Sequence, residues 1–284
     1  MSTDIKLGFF GANVGGMSSP ACGEVAAFAE SLGYASLWTG EHVVLPRPRT
    51  DRPPLEPDWP MAEPLLTLSF IAARTTTIEL CTGVLLATQR QPVRLAKETA
   101  TLDVLSGGRF VLGVGTGHIP LEFEVLGVPT EHKRARLREC LDALQVLWND
   151  DAPEYSGEFV SFRGVDAYPR PVTPGGPRIV MGGYAEAALD DAATRAHGWY
   201  GWGLTPEECL EFVPRLRARV AEAGRDPERF EVSLTPRARL TTDLVDEYRR
   251  AGVDQLVVTV EAPDIDGVRR RLEYNAPKQL GIDA

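Results

Sequence analysis

The chain has 284 residues, 43% of them hydrophobic and 25% charged, which is the balance of a globular protein long enough to bury a sizeable core. A formal net charge of −10 argues against nucleic acid as the main partner, since phosphate binding needs clustered Lys and Arg. No stretch approaches the roughly 20 apolar residues of a membrane helix. Asp4 and Lys6 interrupt the start where a secretory signal would run apolar, and Cys22, Cys81, Cys140 and Cys209 lack metal or redox-motif spacing. The expectation is a cytoplasmic protein with reduced, packed thiols and no metal.

Residues 5–11 form an apolar strand ending in Gly, and 23–32 place Val25, Ala26, Phe28, Ala29 and Leu32 on one helical face. Residues 34–39 are a second strand that ends at Gly40-Glu41-His42. Residues 44–60 hold six prolines and no periodicity, which predicts a long surface loop, and long ordered loops are usually functional. A helix over 61–73 follows, then a strand over 78–82. Pro92 opens the next helix, which Ser106-Gly107-Gly108 stops, and 110–114 is again a strand. A strand-helix-strand unit this compact has parallel strands and a right-handed crossover.

Residues 133–148 are helical, and 152–174, with alternating aromatics at Tyr155, Phe159 and Phe162, read as an inserted hairpin or extended loop. The alternation then resumes: strands at 178–181, 199–201, 230–234 and 255–260, helices at 185–196, 206–223, 242–251 and 265–275. Eight such strand-helix pairs predict an α/β fold, a single closed (β/α)8 TIM barrel domain over 1–284, with its site at the C-terminal strand ends. Those ends include Thr82-Gly83-Val84 and Gly115-Thr116-Gly117-His118.

Gly113, Gly115 and Gly117 do not make a dinucleotide fingerprint, because the third Gly comes one residue early and Pro120 follows closely. They read instead as a strand-end loop lining a site. Gly182-Gly183-Tyr184 lies between a strand and a helix start, either as a phosphate cradle built from backbone N–H groups or as a simple tight turn. Glu41-His42 and His118 sit at strand ends where imidazoles act as acids and bases, whereas His132 and His197 read as packing residues. Arg47, Arg49 and Arg52 meet an anionic group or are solvated surface charge.

These residues together resemble the bacterial luciferase-like superfamily of flavin and deazaflavin enzymes. The matching stretches are GYASLWTGEHVVLP at 33–46, TGVLLATQRQPVRLAKETATLDVLSGGRFVLGVGTG at 82–117, PRIVMGGYAEAAL at 177–189, HGW at 197–199 and YRRAGVDQLVV at 248–258. They run in order along almost the whole chain, and the 82–117 block is the most specific. An acidic residue followed by His after strand two looks like the deazaflavin-dependent branch.

The resemblance implies an oxidoreductase using coenzyme F420, an 8-hydroxy-5-deazaflavin, to move a hydride to or from a small-molecule substrate. FMN-dependent monooxygenation is the alternative, and a non-catalytic ligand-binding member of the fold a further one. It implies a non-prolyl cis peptide at Gly83–Val84 in a bulge backing the cofactor ring. Glu41 is expected at the ring's polar edge, His42 near its reactive carbon, and His118 as a competing proton donor. Thr82, Gly115, Thr116, Gly182, Gly183 and Tyr184 complete the expected cofactor contacts. His118 stands where the sugar-phosphate dehydrogenase branch has an acidic residue, which counts against sugar-phosphate oxidation. The resemblance also implies a homodimer.

Overall fold

The computed structural model of the protein describes residues 5–51 and 55–282. The chain opens with β1 (Lys6–Phe10), α1 (Cys22–Ser31) and β2 (Ser36–Thr39), all four residues of β2 being buried. After the proline-rich segment comes α2 (Pro64–Ala72). Pro64 occupies the first turn, where no N–H is needed, and the Glu63 carboxylate caps the Leu66 N–H at 2.6 Å. Next come β3 (Glu79–Thr82) and a two-residue strand, β4 (Leu85–Leu86). α3 (Pro92–Ser106) is capped by the Gln91 side chain and ended by Gly107 in the left-handed conformation, φ 66°. β5 (Phe110–Gly115) completes this unit.

Two helices follow: α4 (Pro120–Leu126), which the periodicity did not reveal, and α5 (Lys133–Asn149). The insertion is a hairpin of β6 (Tyr155–Ser156) and β7 (Ser161–Phe162), as expected. The Glu139 carboxylate on α5 holds its turn by accepting from the N–H groups of Glu158, Phe159 and Val160 at 2.8, 2.8 and 3.0 Å. The remaining elements alternate: β8 (Arg178–Gly182), α6 (Glu186–Arg195), β9 (Gly198–Trp202), α7 (Pro206–Glu222), β10 (Glu231–Thr235), α8 (Thr242–Arg250), β11 (Gln255–Thr259) and α9 (Ile265–Tyr274).

The strands pair in the order β3-β2-β1-β11-β10-β9-β8-β5, all parallel, and β3 pairs again with β5. The registers Leu80↔Phe110 and Cys81↔Val111 therefore close a barrel of eight strands. Two apolar layers follow from closure. Inside, Phe10, Trp38, Cys81, Val111, Tyr200 and Val257 pack against one another. Outside, the sheet and the helices share a larger core that includes Phe9, Leu37, Leu112 and Leu216. All four cysteines are free and buried, and burial pushes the Cys140 and Cys209 thiols up to about 12, so these groups pack rather than react. Among the described residues, no helix is long and apolar enough to cross a membrane.

Candidate active site

A cavity of about 520 Å³ opens at the C-terminal ends of the barrel strands. Its floor is the bulge between β3 and β4, where the Gly83–Val84 peptide is cis, as the resemblance implied. The Gly83 N–H donates to the Thr39 carbonyl at 2.7 Å. Below it, Trp38 and Tyr200 stack with centroids 4.4 Å apart and planes 26° apart. A Cβ at position 83 would lie 2.8 Å from Trp38 and 2.9 Å from Tyr200, so the bulge rests directly on this pair and only Gly fits. The Trp38 N–H donates to Ser36 Oγ at 2.8 Å, and Tyr200 and Thr235 share a hydrogen bond of the same length. Both rings are thereby fixed in plane.

His42 stands in the wall. Its Nδ1 lies 3.2 Å from Oε2 of Glu122, a fully buried carboxylate in the first turn of α4. The other oxygen, Oε1, accepts the Val43 N–H at 2.9 Å. A carboxylate partner assigns the proton to Nδ1 and leaves Nε2 as the nitrogen available to a ligand. The His118 ring meets His42 edge-on at 5.8 Å, so the two imidazoles singled out in the sequence share one corner of the cavity.

Glu41 also lines the cavity, but its carboxylate is already engaged. It accepts from the Leu86 N–H and from Arg90, which also reaches Glu63 at 2.7 Å. Burial pushes the Glu41 carboxyl up, while the Arg90 guanidinium and the Leu86 amide pull it down. This network ties the end of β2 to β4 and to the start of α2. Glu41 thus holds the bulge in place from within the cavity wall.

The other expected contacts divide. Val84 is part of the floor with Gly83. Thr82 is fully buried, and its hydroxyl donates to the Gly113 carbonyl at 2.7 Å and accepts the Gly113 N–H at 2.8 Å. It joins β3 to β5 behind the floor and does not face the cavity. A Cβ at Gly115 would meet Val84 at 2.8 Å, and the Thr116 carbonyl accepts from Thr88 at 3.0 Å, so both support the bulge from β5. Gly182 adjoins it too: a Cβ there would lie 3.4 Å from Val84. Gly183 has φ 115°, and a Cβ would meet only Ala188, at 3.2 Å, leaving the backbone before α6 open to approach. The Tyr184 hydroxyl donates to the Trp202 carbonyl at 2.6 Å, which fixes the loop after β8 against β9.

His132 and His197 lie elsewhere. His132 is the positive-φ cap of α5 and stacks on Phe159, and His197 accepts the Ile179 N–H at 3.0 Å, with burial pushing its pKa down. In the proline-rich segment, Leu55, Trp59 and the adjoining Met61 reach the cavity. Arg49 pairs with Glu56 at 3.4 Å on the surface, Arg47 is exposed, and Arg52 lies outside the described residues. Sequence reasoning missed Glu122, Arg90, Trp202 and Glu261. The signal for Glu122 was its place behind Pro120 in a short helix opening. The others had no local signal.

The closed (β/α)8 barrel, with its cavity at the C-terminal strand ends, is the architecture shared by luciferase-like oxidoreductases and monooxygenases. Residues 10–273 match the luciferase-like monooxygenase family, and the chain belongs to it. It is 32% identical over 265 residues to an uncharacterized protein of Mycobacterium tuberculosis, covering 89% of this chain and 92% of that one. It is 32% identical over 219 residues to an F420-dependent glucose-6-phosphate dehydrogenase of Kineococcus radiotolerans, covering 72% of this chain and 60% of that one. An F420-dependent secondary alcohol dehydrogenase, solved with an F420-acetone adduct, shares the fold with a TM-score of 0.80 at 16% identity, over 98% of this chain and 99% of that one.

Proposed function

We propose that the protein is an oxidoreductase that binds coenzyme F420 and moves a hydride to or from a small organic substrate. The observation that carries this reading is the single cavity in which the cis Gly83–Val84 floor faces His42, itself oriented by buried Glu122. The relationship to an F420-dependent dehydrogenase supports it. The residues present suit a flat ring bearing a phosphorylated tail. The floor has no side chain at Gly83, and the exposed backbone at Gly182 and Gly183 leads into α6, whose N-terminus favours an anion. Bound there, the deazaflavin supplies a two-electron hydride couple.

The chain's own residues do the rest. His42 accepts a proton at Nε2, and returns it once the ring is doubly protonated, while Glu122 keeps its tautomer and ring plane fixed. His118 is the neighbouring candidate for the same transfer. Glu41 and Arg90 hold the floor, and Phe10, Val14 and Trp202 keep water from the reacting face. The family's monooxygenase members supply the second reading, with FMN at the same floor. Fluorescence titration of the purified protein with each cofactor tests the choice. Tighter binding of the deazaflavin is expected. Binding of FMN alone transfers the reading to oxygen chemistry, and binding of neither leaves a ligand-binding member of the fold.

A further inference from the structure

Alternate residues of a barrel strand face inward. On β9, Trp199 belongs to the outer core, where its ring lies 4.6 Å from that of Phe212, and Tyr200 belongs to the inner layer. Trp202, two residues past Tyr200, therefore points inward as well, at the level of the barrel mouth. It lines the cavity with Phe10 of β1, and the two rings meet edge-on at 4.9 Å. β9 is buried everywhere except at Trp202, which keeps 44% of its surface open.

That exposure does not come from a loose chain. The Trp202 carbonyl accepts the Tyr184 hydroxyl at 2.6 Å. The next residue, Gly203, turns with φ 82°, and its N–H donates to the Thr235 carbonyl at 2.8 Å. The backbone is pinned by the loop after β8 and by the end of β10, while the indole stays half open. A large aromatic side chain held this way inside a concavity is a preformed contact surface, since little freedom is left to lose when a ligand packs on it.

Charge narrows what can lie there. Among the described residues that line the cavity there is no Lys or Arg. Of its two carboxylates, Glu41 is matched by Arg90. Glu261, which follows β11, is half-buried, and Arg271 is the cation that opposes the upward push of burial on its carboxyl. Leu55, Trp59 and Met61 add apolar surface. An anionic group brought into this space would lose water without gaining a cation and would share the cavity with a carboxylate.

We propose that the cavity accepts an uncharged substrate with a flat apolar ring, and that Trp202 is the specificity-determining residue on which this ring packs. This rests on the reading that the cavity is the substrate site. A sugar phosphate meets neither condition.

Three probes separate ring from charge. Benzyl alcohol and cyclohexylmethanol share a hydroxymethyl group and differ in the ring, whereas benzyl alcohol and benzyl phosphate share the ring and differ in charge. Their affinities are measured by ligand-observed NMR at pH 8, on the protein saturated with whichever cofactor it binds, or on the protein alone if it binds neither. Benzyl alcohol is expected to bind about two- to tenfold more tightly than cyclohexylmethanol, the scale of an aromatic pair beyond its area. It is expected to bind at least about tenfold more tightly than benzyl phosphate. Trp202→Ala should remove the ring preference while cofactor affinity holds, and Trp202→Phe should keep most of it. Glu261→Gln should strengthen binding of the phosphate and leave the alcohol unchanged. The proposal is overturned if the aromatic ring has no advantage in the wild-type protein, or if its advantage survives in Trp202→Ala. It is overturned equally if benzyl phosphate binds as tightly as the alcohol, whether through Arg52, which lies outside the described residues, or through another cation. Cofactor titration of the same samples reads the enzymatic assignment separately. A Trp202→Ala variant that loses its cofactor, with or without the ring preference, would assign the indole to the cofactor ring and also overturn the proposal.

Discussion

At the scale of single residues, His42 is the position whose loss separates chemistry from binding. Its ring is held from one side by Glu122, so Nε2 presents one orientation to the cavity. His42→Ala should fold normally and lose turnover by about 10²–10⁴, the usual cost of removing a positioned acid-base group, with a smaller loss of cofactor affinity. Glu122→Gln keeps the shape but removes the carboxylate that fixes the tautomer. It should lower kcat by about tenfold or more while cofactor affinity holds. The pair of effects distinguishes a proton-transfer role from a packing role. Full activity in His42→Ala would move proton transfer to His118 or to water. His42 was legible in the sequence because an imidazole at a barrel strand's end is rarely idle. Glu122 was not, because it comes from α4, far along the chain, and faces His42 only once the barrel closes.

Elements carry their own tests. Glu30, at the end of α1, accepts hydrogen bonds from the N–H groups of Thr76 at 2.9 Å, Thr77 at 2.5 Å and Ile78 at 2.8 Å, and so caps the entrance to β3. Burial pushes this carboxyl up, but the three amides outweigh burial and bring it to about 2, against an ordinary 4.5. The folded value lies below the unfolded one. The carboxylate therefore contributes its full stability above about pH 4.5, and that contribution is lost as the pH falls toward 2. Because the group is partly exposed, its worth is discounted to about 1 kcal/mol. Glu30→Gln should lower the melting temperature at pH 7 and flatten the acid limb between those pH values. An unchanged acid limb would assign it to other carboxylates.

The loop before α6 is the second test at this scale. Gly183 has φ 115°, which a β-branched residue resists, and Val there would also crowd Ala188 and cover the open backbone. Gly183→Val should weaken cofactor binding severalfold or more. Gly183→Ala, with similar backbone strain and less bulk, separates lost approach from lost stability. The long helices and the strands were legible from period and caps. α4 was not, since seven residues opening on Pro120 resemble a turn when read locally. The hairpin at β6 and β7 was legible through its alternating aromatics, although the carboxylate that folds it, Glu139, lies on another element.

Across the whole molecule, closure was legible because each strand-helix unit is local and eight of them leave few arrangements. What closure brings together was not. The cis bulge came only through resemblance, and the contacts of Arg90 with Glu41 and Glu63 join segments with no common pattern. Asn13 shows how rim loops from different parts of the chain are made one piece. It is fully buried after β1, and its amide nitrogen donates to the carbonyls of Gly40 at 2.8 Å and Ala62 at 2.6 Å. Its side-chain oxygen accepts the Gly40 N–H at 3.0 Å, and its backbone carbonyl accepts the Ala62 N–H at 2.8 Å. One side chain thus joins the loop after β1, the loop carrying Glu41 and His42, and the segment leading into α2. Asn13→Ala removes three hydrogen bonds and leaves buried backbone groups unmatched, at about 1–3 kcal/mol for each group that water cannot reach. A loss of roughly 2–4 kcal/mol is expected in chemical denaturation, because some water will enter the space left. Cofactor affinity should fall with it, since the His42 wall and the Trp59 wall lose their common anchor. A variant that loses stability but binds cofactor as the wild type does would show that these walls are set independently, by Glu122 and by the bulge.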